Sequence, residues 1–391
     1  MQSSALARPI AAIAGVVVVA KVAQVFFPDV YGQIVGWLGS REEKKPQRPL
    51  PYVGTTPVEE GFDWKKVEPE KFRTFRAAEY KMTMGLKTLD HDDWIVIDNT
   101  YLWVSNIRAK ILAQHPNTVI SFHESAREAV LELYDAVTKF LMQRYPMYFY
   151  PVAANDGAMK LYNEIRDEYL PLHSGHIDDP VEALKVLAVT INDDLIVLIK
   201  NPAEGDHDEY HVRAGVSLFP AGFDPSFKAN KPLTTIHGPV PGYLSKLQLS
   251  MNKFFARLQA GELKYRSNWS IQTHGKLFAL TENHAGEKKT LEVLDPDDLD
   301  FNKCFLRCEK QAFTHLPNSE CNVMSVKTYV YPLTDIRAEG LGETLCGAID
   351  GLPEGMALYK RALGWGPAVK KYMRYESDGA VKEIYKYQFE T

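Results

Sequence analysis

The segment with the clearest chemical potential covers residues 235–242 and reads TIHGPVPG. Its histidine, His237, follows an apolar residue and precedes a turn that contains two prolines, so its backbone has little local freedom. A rigidly held imidazole suits an axial metal ligand, because one ring nitrogen must meet the metal at a set angle. A loop histidine bonded only to backbone fits the same residues and is the more common case.

A second stretch, YRSNWS over residues 265–270, has the composition of a strand. Alternation along a strand places Arg266 and Asn268 on one face and Trp269 on the other. An arginine beside an asparagine can hold a carboxylate or orient a bound oxygen species. A solvated strand face is the alternative interpretation.

A third stretch, LRCEKQ over residues 306–311, shows the same alternation. Arg307, Glu309 and Gln311 share one face, and Cys308 lies on the other. Three polar groups in a row usually face solvent. If this face points inward, we expect the three side chains to form a hydrogen-bonded network.

An acidic pair, Asp193 and Asp194, lies in a segment that we predict to be helical over about Pro180–Ile199. On such a helix Asp194 would share the apolar face of Leu187 and Leu198 and point toward the core. A buried carboxylate needs a partner, and arginine is the usual one. The pairing would be structural or part of a site.

Other site chemistries lack their ligands. None of the four cysteines makes a C-x-x-C pair, so we expect reduced, buried thiols at Cys304, Cys308, Cys321 and Cys346. Two histidine pairs have spacings of three and four, but their glycine-containing or acidic contexts favour surface positions over zinc ligation; they are His173 with His176 and His207 with His211. No nucleotide-binding glycine motif and no nucleophile elbow occurs.

The elements that would position these residues follow from periodicity. Helices are predicted over about 123–144, 180–199, 244–258 and 353–374. Strands are predicted at Val212–Leu218, Ser267–Thr273, Phe301–Glu309 and Asn322–Tyr331. Because helices and strands do not alternate regularly, the pattern predicts an α+β fold with an antiparallel sheet and helices packed around it.

The N-terminal segment differs in composition from the rest of the chain. Residues 9–27 read PIAAIAGVVVVAKVAQVFF, which is long and apolar enough to predict a single membrane-anchoring helix within a segment 1–40. A mitochondrial presequence and a buried helix are the alternatives. Residues 41–61, rich in proline and charge, are predicted to be a semi-stiff linker. We expect the protein to be anchored in the endoplasmic reticulum or a mitochondrial membrane.

Composition and length bound the remaining possibilities. Forty-five basic against 50 acidic residues give a net charge of −5, which argues against a nucleic-acid binder. The 391 residues allow two or three domains. Since no low-complexity break follows the linker, we expect one domain over residues 62–391.

Taken in order, these motifs resemble the haem-dependent oxidative N-demethylase family. The resemblance covers about Phe72–Arg374 and depends on three motifs in combination: I-H-x-P-V-P at His237, R-x-N-W at Arg266, and L-R-x-E-x-Q at Leu306, followed by L-P. Fungal members with an N-terminal hydrophobic segment look most similar. Two positions depart from the family pattern. Asp193 replaces a glutamate, and Cys308 replaces an aliphatic residue, which leaves a thiolate ligand as an alternative.

What the resemblance implies is a PAS-like sheet that holds haem b, with His237 as the axial iron ligand. It implies catalytic or substrate-orienting roles for Arg266, Asn268, Glu309 and Gln311. It implies cofactor contacts for Trp269, Arg307 and Asp194.

The implied activity is the use of O2 to oxidise an amine or a small secondary metabolite, with a methylamine yielding a lower amine and formaldehyde. Glu309 is the best candidate to face a cationic amine. Because the chain has no flavin or dinucleotide motif and no cluster cysteines, its electrons would come from a separate flavin or iron–sulfur reductase. The alternatives are a non-catalytic haem sensor or storage module and a descendant that has lost haem.

Overall fold

The computed structural model describes residues 54–200, 209–285 and 290–379. The predicted anchor 1–40 with its membrane segment 9–27, the linker up to residue 53, and His207 lie outside these residues. Among the helices that the structure describes, none is both long and apolar enough to cross a bilayer. The end of the predicted linker already contacts the body of the protein, because the Val58 amide donates to the Arg144 carbonyl at 2.9 Å.

A seven-stranded sheet dominates the fold, and every strand pair in it is antiparallel. Its strands, in chain order, are β1 (Lys87–Thr88), β2 (Ile120–Phe122), β6 (Asp193–Lys200), β7 (Tyr210–Val216), β8 (Lys264–Gln272), β9 (Phe305–Leu316) and β10 (Cys321–Pro332). In space they lie in the order β1-β8-β9-β10-β6-β7-β2. A separate three-stranded antiparallel sheet contains β3 (Phe149–Ala153), β4 (Met159–Asn163) and β5 (Glu168–Pro171).

Helices surround the large sheet. They are α1 (Tyr101–Gln114), α2 (Pro116–Val119), α3 (Arg127–Arg144), α4 (Pro180–Thr190), α5 (Leu233–Ile236), α6 (Gln248–Arg257), α7 (Leu333–Ala338), α8 (Gly342–Asp350), α9 (Glu354–Tyr359) and α10 (Ala362–Met373). A π-helical turn, Tyr243–Leu247, leads directly into α6. The prediction of an α+β fold with an antiparallel sheet and packed helices is therefore confirmed.

Two of the predicted helices were wrong in part. The helix predicted over 180–199 ends at Thr190, and the run DDLIVLIK from Asp193 forms β6. This run is apolar on both faces and rich in β-branched residues, so helical periodicity could not distinguish it from a buried strand. The helix predicted over 353–374 breaks into α9 and α10, because Arg361 adopts a left-handed φ of 58°.

The predicted strand 301–309 also needs correction. Its first residues form a 3₁₀ turn, Phe301–Lys303, capped by Asp300, and β9 runs from Phe305 to Leu316. An aspartate side chain that accepts from the amide two residues ahead favours such a turn over an extended start. The strand itself is longer than predicted, at 12 residues.

The two faces of the large sheet bury different partners. On one face, Leu195, Val197 and Val323 pack with Leu133 of α3 and Leu187 of α4 in one buried cluster. Farther along that face, a second cluster joins the sheet to helices α7–α10. The opposite face is only partly filled by the segment from α5 to α6, and this incomplete covering leaves room for a cavity.

A buried ion pair ties one helix to the start of β6. Arg108 of α1 is fully buried, and its Nη1 lies 2.9 Å from Asp194 Oδ1. The same guanidinium donates through Nε to the Ala188 carbonyl at 2.6 Å and through Nη2 to the Asp193 carbonyl at 2.7 Å. The expectation of an arginine partner for Asp194 is confirmed, although the carboxylate lies on a strand and not on a helix.

We expect Arg108→Met to lower the free energy of unfolding by about 3–5 kcal/mol, because it leaves the Asp194 carboxylate buried without its cation. Urea unfolding followed by circular dichroism measures the change. Lys185→Met is the control, since Lys185 of α4 forms an exposed pair with Glu182 at 2.6 Å and such pairs contribute little. Equal destabilisation by the two variants would contradict the structural role assigned to Arg108.

Candidate functional site

A large cavity lies between the partly covered face of the sheet and the segment that contains α5 and α6. The space between its walls, counted together with the solvent at its mouth, is about 1150 Å³. Its walls are mainly apolar and include Ile196, Leu198, Val212, Phe219, Phe223, Leu233, Ile236, Met251, Phe255, Phe313 and Met324. A few polar side chains reach into it, and five of the predicted site residues are among them: Asp194, His237, Arg266, Glu309 and Gln311.

His237 lines the cavity from the C-terminal end of the short helix α5. Its Nδ1 lies 2.8 Å from the Leu233 carbonyl oxygen. A carbonyl only accepts, so Nδ1 carries the proton and Nε2 keeps its lone pair. The ring also stacks on Tyr243, with centroids 4.5 Å apart and planes at 12°. These two contacts fix the imidazole's tautomer and its plane.

Burial lowers the pKa of His237 to about 4, and the positive charges of Lys228 and Arg266 add to the effect. The imidazole is therefore neutral at pH 7. A neutral histidine with one nitrogen bonded to a backbone carbonyl and the other free is the usual form of a metal-ligating side chain.

The sheet supplies the polar wall of the cavity. Arg266 on β8 pairs in register with Gln311 on β9, and Asn268 pairs with Glu309. The amide of Gln311 donates to Glu309 Oε2 at 3.0 Å. Arg266 Nε is buried and has no hydrogen-bond partner among the described residues. The guanidinium can therefore donate hydrogen bonds to a carboxylate of a ligand.

Two further side chains, Arg307 and Asn268, lie close to the Glu309 carboxylate. Arg307 Nε lies 3.6 Å from Glu309 Oε1, and Asn268 Nδ2 lies 3.5 Å from Oε2. Neither Arg307 nor Asn268 lines the cavity itself. The expected inward-facing network is therefore present in part: Gln311 and Asn268 donate hydrogen bonds to Glu309, whereas Arg307 joins it only through the longer ion pair.

Lys360 fixes the direction of this network. It lies in the break between α9 and α10, and its Nζ donates to Asn268 Oδ1 at 3.0 Å and to the Trp269 carbonyl at 2.6 Å. Because an ammonium only donates, the Asn268 amide must turn its oxygen to Lys360 and its NH₂ to Glu309. Burial lowers the pKa of Lys360 to about 8.

Two residues singled out by sequence face away from the cavity. Trp269 does not line it and packs edge-on against Phe75, with ring centroids 6.4 Å apart. Cys308 lies on the same face as Trp269, 3.8 Å from the Thr74 hydroxyl. Burial raises the pKa of the Cys308 thiol to about 11. Its position and its protonation both argue against a thiolate ligand for the cavity.

Among the described residues, the cysteines and the predicted histidine pairs do not assemble into a metal-binding cluster. All four cysteines are free and buried, as predicted. The rings of His173 and His176 lie 3.9 Å apart on the surface, but His211 is buried on β7, so its predicted surface position was wrong. Among the described residues no group of three or more histidine, cysteine or carboxylate side chains could hold a metal ion.

Sequence reasoning missed three residues that shape the site: Lys228, Tyr243 and Lys360. Tyr243 closes the motif that follows His237, and its spacing of six could have suggested a packing partner. Lys228 and Lys360 stand in stretches without any motif. They reach the cavity region only through tertiary folding, which no local pattern reports.

The fold and the cavity define an α+β protein with a neutral histidine on one wall and a charged, hydrogen-bonded sheet on the other. A family profile described as haem-dependent oxidative N-demethylase, alpha subunit-like, matches residues 85–370, well over half of the chain. The protein belongs to this family, and the match includes all residues that line the cavity. No curated protein matches the chain.

The two members of the acidic pair have different surroundings. Asp193 points to the opposite face of the sheet from Asp194, pairs in register with Lys327, and has a buried Oδ2 without a hydrogen-bond partner among the described residues. Burial raises the pKa of Asp193 to about 6, against the attraction of Lys327 and Arg108. The folded state therefore binds more protons than the unfolded state between about pH 4 and pH 6.

The raised pKa of Asp193 makes the free energy of unfolding depend on pH in a direction that can be measured. Stability contributed by the protonated Asp193 is present near pH 4 and is lost as the pH rises through 6. Relative to Asp193→Asn, the wild type should lose about 2–3 kcal/mol of unfolding free energy between pH 4 and pH 7. Urea titrations of both proteins at four pH values give the difference, and a constant difference over this range would refute the assignment.

Proposed function

We propose that the protein is a haem b-dependent oxidoreductase that uses O2, and that it oxidises an amine or a small secondary metabolite by N-demethylation or hydroxylation. Membership of the haem-dependent oxidative N-demethylase-like family supports the cofactor and the reaction class. The single observation that carries the proposal for this chain is His237, whose neutral ring is held by Leu233 and Tyr243 and whose Nε2 has no partner among the described residues beside the cavity.

The lining of the cavity supports a tetrapyrrole that carries carboxylates. Its mainly apolar walls suit a large planar ligand. Arg266, with a buried Nε that lacks a partner among the described residues, supplies a charge that a carboxylate would neutralise. The strand order also supports a PAS-like sheet. The five strands β6 to β10 lie side by side in the order β7-β6-β10-β9-β8. Renumbered from one to five along the chain, this is the order 2-1-5-4-3 of a PAS-like sheet.

His237 would hold the iron through Nε2, and haem bound there supplies O2 binding and redox chemistry. The opposite wall is the sheet, where Gln311 and the residues behind Glu309 keep its carboxylate in place. A carboxylate held this way would bind a protonated amine and orient it toward the cavity. Arg266 lies two residues before Asn268 on the same face of β8. Its guanidinium would place a positive charge beside the site of the amine.

Electrons would come from a separate flavin or iron–sulfur reductase. In the part of the chain that the structure describes, the cysteines are buried single thiols and no metal-holding cluster is present. This supports an external donor, with O2 and the amine as the small-molecule substrates.

The first test is the absorption spectrum of ferric and dithionite-reduced protein for the wild type and His237→Ala. We expect a Soret band in the wild type that is lost or shifted in the variant, because the iron loses its axial ligand. His284→Ala is the matched control, since His284 is also partly buried and stacks on a tyrosine at 4.4 Å but does not line the cavity.

Three outcomes separate the alternatives. Equal spectra for His237→Ala and the wild type would move the ligand elsewhere and overturn the site. Absence of haem in every protein would indicate a family member that has lost its cofactor. Haem binding without amine turnover in the presence of a reductase would favour the non-catalytic sensor or storage module.

We also propose that the segment 9–27 anchors the enzyme in the endoplasmic reticulum or a mitochondrial membrane, beside membrane-bound redox partners; its apolar sequence supports this. Deleting residues 1–40 should move the protein from the membrane pellet to the supernatant in cell fractionation. A full-length variant with Lys21→Ala serves as the control and should remain in the pellet. Unchanged membrane association of the deletion variant would refute the anchor.

A further inference from the structure

Lys228 is a cavity residue that no sequence motif singles out. It ends the 3₁₀ turn Pro225–Lys228, which Asp224 caps by accepting from the Ser226 amide at 2.9 Å. Its side chain lines the cavity. The Nζ lies 3.1 Å from the centroid of the Phe223 ring. Among the described residues no oxygen is within hydrogen-bond or ion-pair distance of this ammonium.

The contrast with Lys360 shows what is unusual about this position. Lys360 is buried and Lys228 is half-buried, and the loss of solvent lowers the pKa of each to about 8. Lys360 donates to two oxygens and does not line the cavity. Lys228 contacts the face of the Phe223 ring, a weaker partner for an ammonium than a carboxylate or carbonyl, and the Glu309 carboxylate acts on it without forming an ion pair. Of these two lysines, Lys228 is therefore the one whose nitrogen can react inside the cavity once it is deprotonated.

An amine in such a place is a nucleophile toward carbonyl carbon. A lysine becomes reactive when it is desolvated in an apolar pocket, and burial lowers the pKa of Lys228 although the negative charge of Glu309 opposes the shift. With a pKa of about 8, roughly a tenth of the amine is neutral at pH 7. An ordinary exposed lysine is about 300-fold less deprotonated at that pH.

We propose that Lys228 is a reversible covalent binding site for small aldehydes that enter or form in the cavity. The neutral Nζ forms a bond to the carbonyl carbon, and the carbonyl oxygen takes up a proton to give a carbinolamine. Loss of that oxygen as water, with the second nitrogen proton, gives an imine. No oxidant or reductant is consumed. The proposed function enters only as a source of aldehyde, since N-demethylation releases formaldehyde inside the same cavity.

The test is reductive trapping on the full-length protein as purified. One equivalent of formaldehyde is added with cyanoborohydride at pH 7, and the reduction converts the imine to an N-methyl group. Peptide mass spectrometry over time gives the methylation rate of each lysine. We expect Lys228 to be methylated about tenfold or more faster than the exposed Lys246 and Lys253, and Lys360 to remain unmodified.

Lys228→Arg is the matched variant, because it keeps the positive charge and removes the nucleophile. It should lose the fast phase of methylation and leave the rates at the other lysines unchanged. Methylation of Lys228 no faster than that of Lys246 would overturn the inference, as would a fast phase that survives in the variant. Trapping uses added aldehyde and needs no turnover, so an inactive protein that still traps aldehyde contradicts only the proposed function.

Discussion

The ion pair between Arg108 and Asp194 is the interaction on which the site most depends. Asp194 stands at the start of β6, and besides Arg108 its carboxylate accepts the amides of Leu218 and Phe219 at 2.9 and 3.1 Å. One buried charge thus joins α1, the first residues of the strand, and the chain just after β7. These donors satisfy the hydrogen-bonding capacity of a carboxylate that is buried at the edge of an apolar cavity.

The same requirement explains the polar wall on β8 and β9. A sheet face that lines an apolar cavity would normally carry apolar side chains, yet here Arg266, Glu309 and Gln311 occupy it. Glu309 is stable there because Gln311 and Asn268 donate to its carboxylate and Lys360 in turn donates to Asn268. Arg266 lies outside this chain of hydrogen bonds, with its buried Nε unpaired among the described residues. The break between α9 and α10 is part of this arrangement, since it brings the lysine to the sheet.

What the sequence predicted well was local. Alternation placed Arg266 with Asn268 and Arg307 with Glu309 and Gln311 because strand side chains repeat every two residues, whatever the strand pairs with. The two prolines after His237 likewise predict a rigid turn from the local sequence alone. The helix predicted through Ile199 failed because an apolar run buried on both faces has no distinguishing period. Arg108 and Lys360 could not be predicted, since their partners are distant in sequence. Lys228 could not be predicted because no local pattern reports the cavity that it lines.

The two walls of the cavity differ in the way that their residues are held, and this difference suits the proposed chemistry. His237 is fixed by a backbone carbonyl and a stacked ring within its own short segment, so its tautomer does not depend on the sheet. Glu309 is fixed by Asn268 of β8 and Gln311 of β9. Lys360, from the break between α9 and α10, holds Asn268 in turn. A ligand between them would therefore meet one group set by local geometry and one set by the whole fold. Changes in the strands or in the C-terminal helices could retune substrate orientation while the imidazole keeps its place.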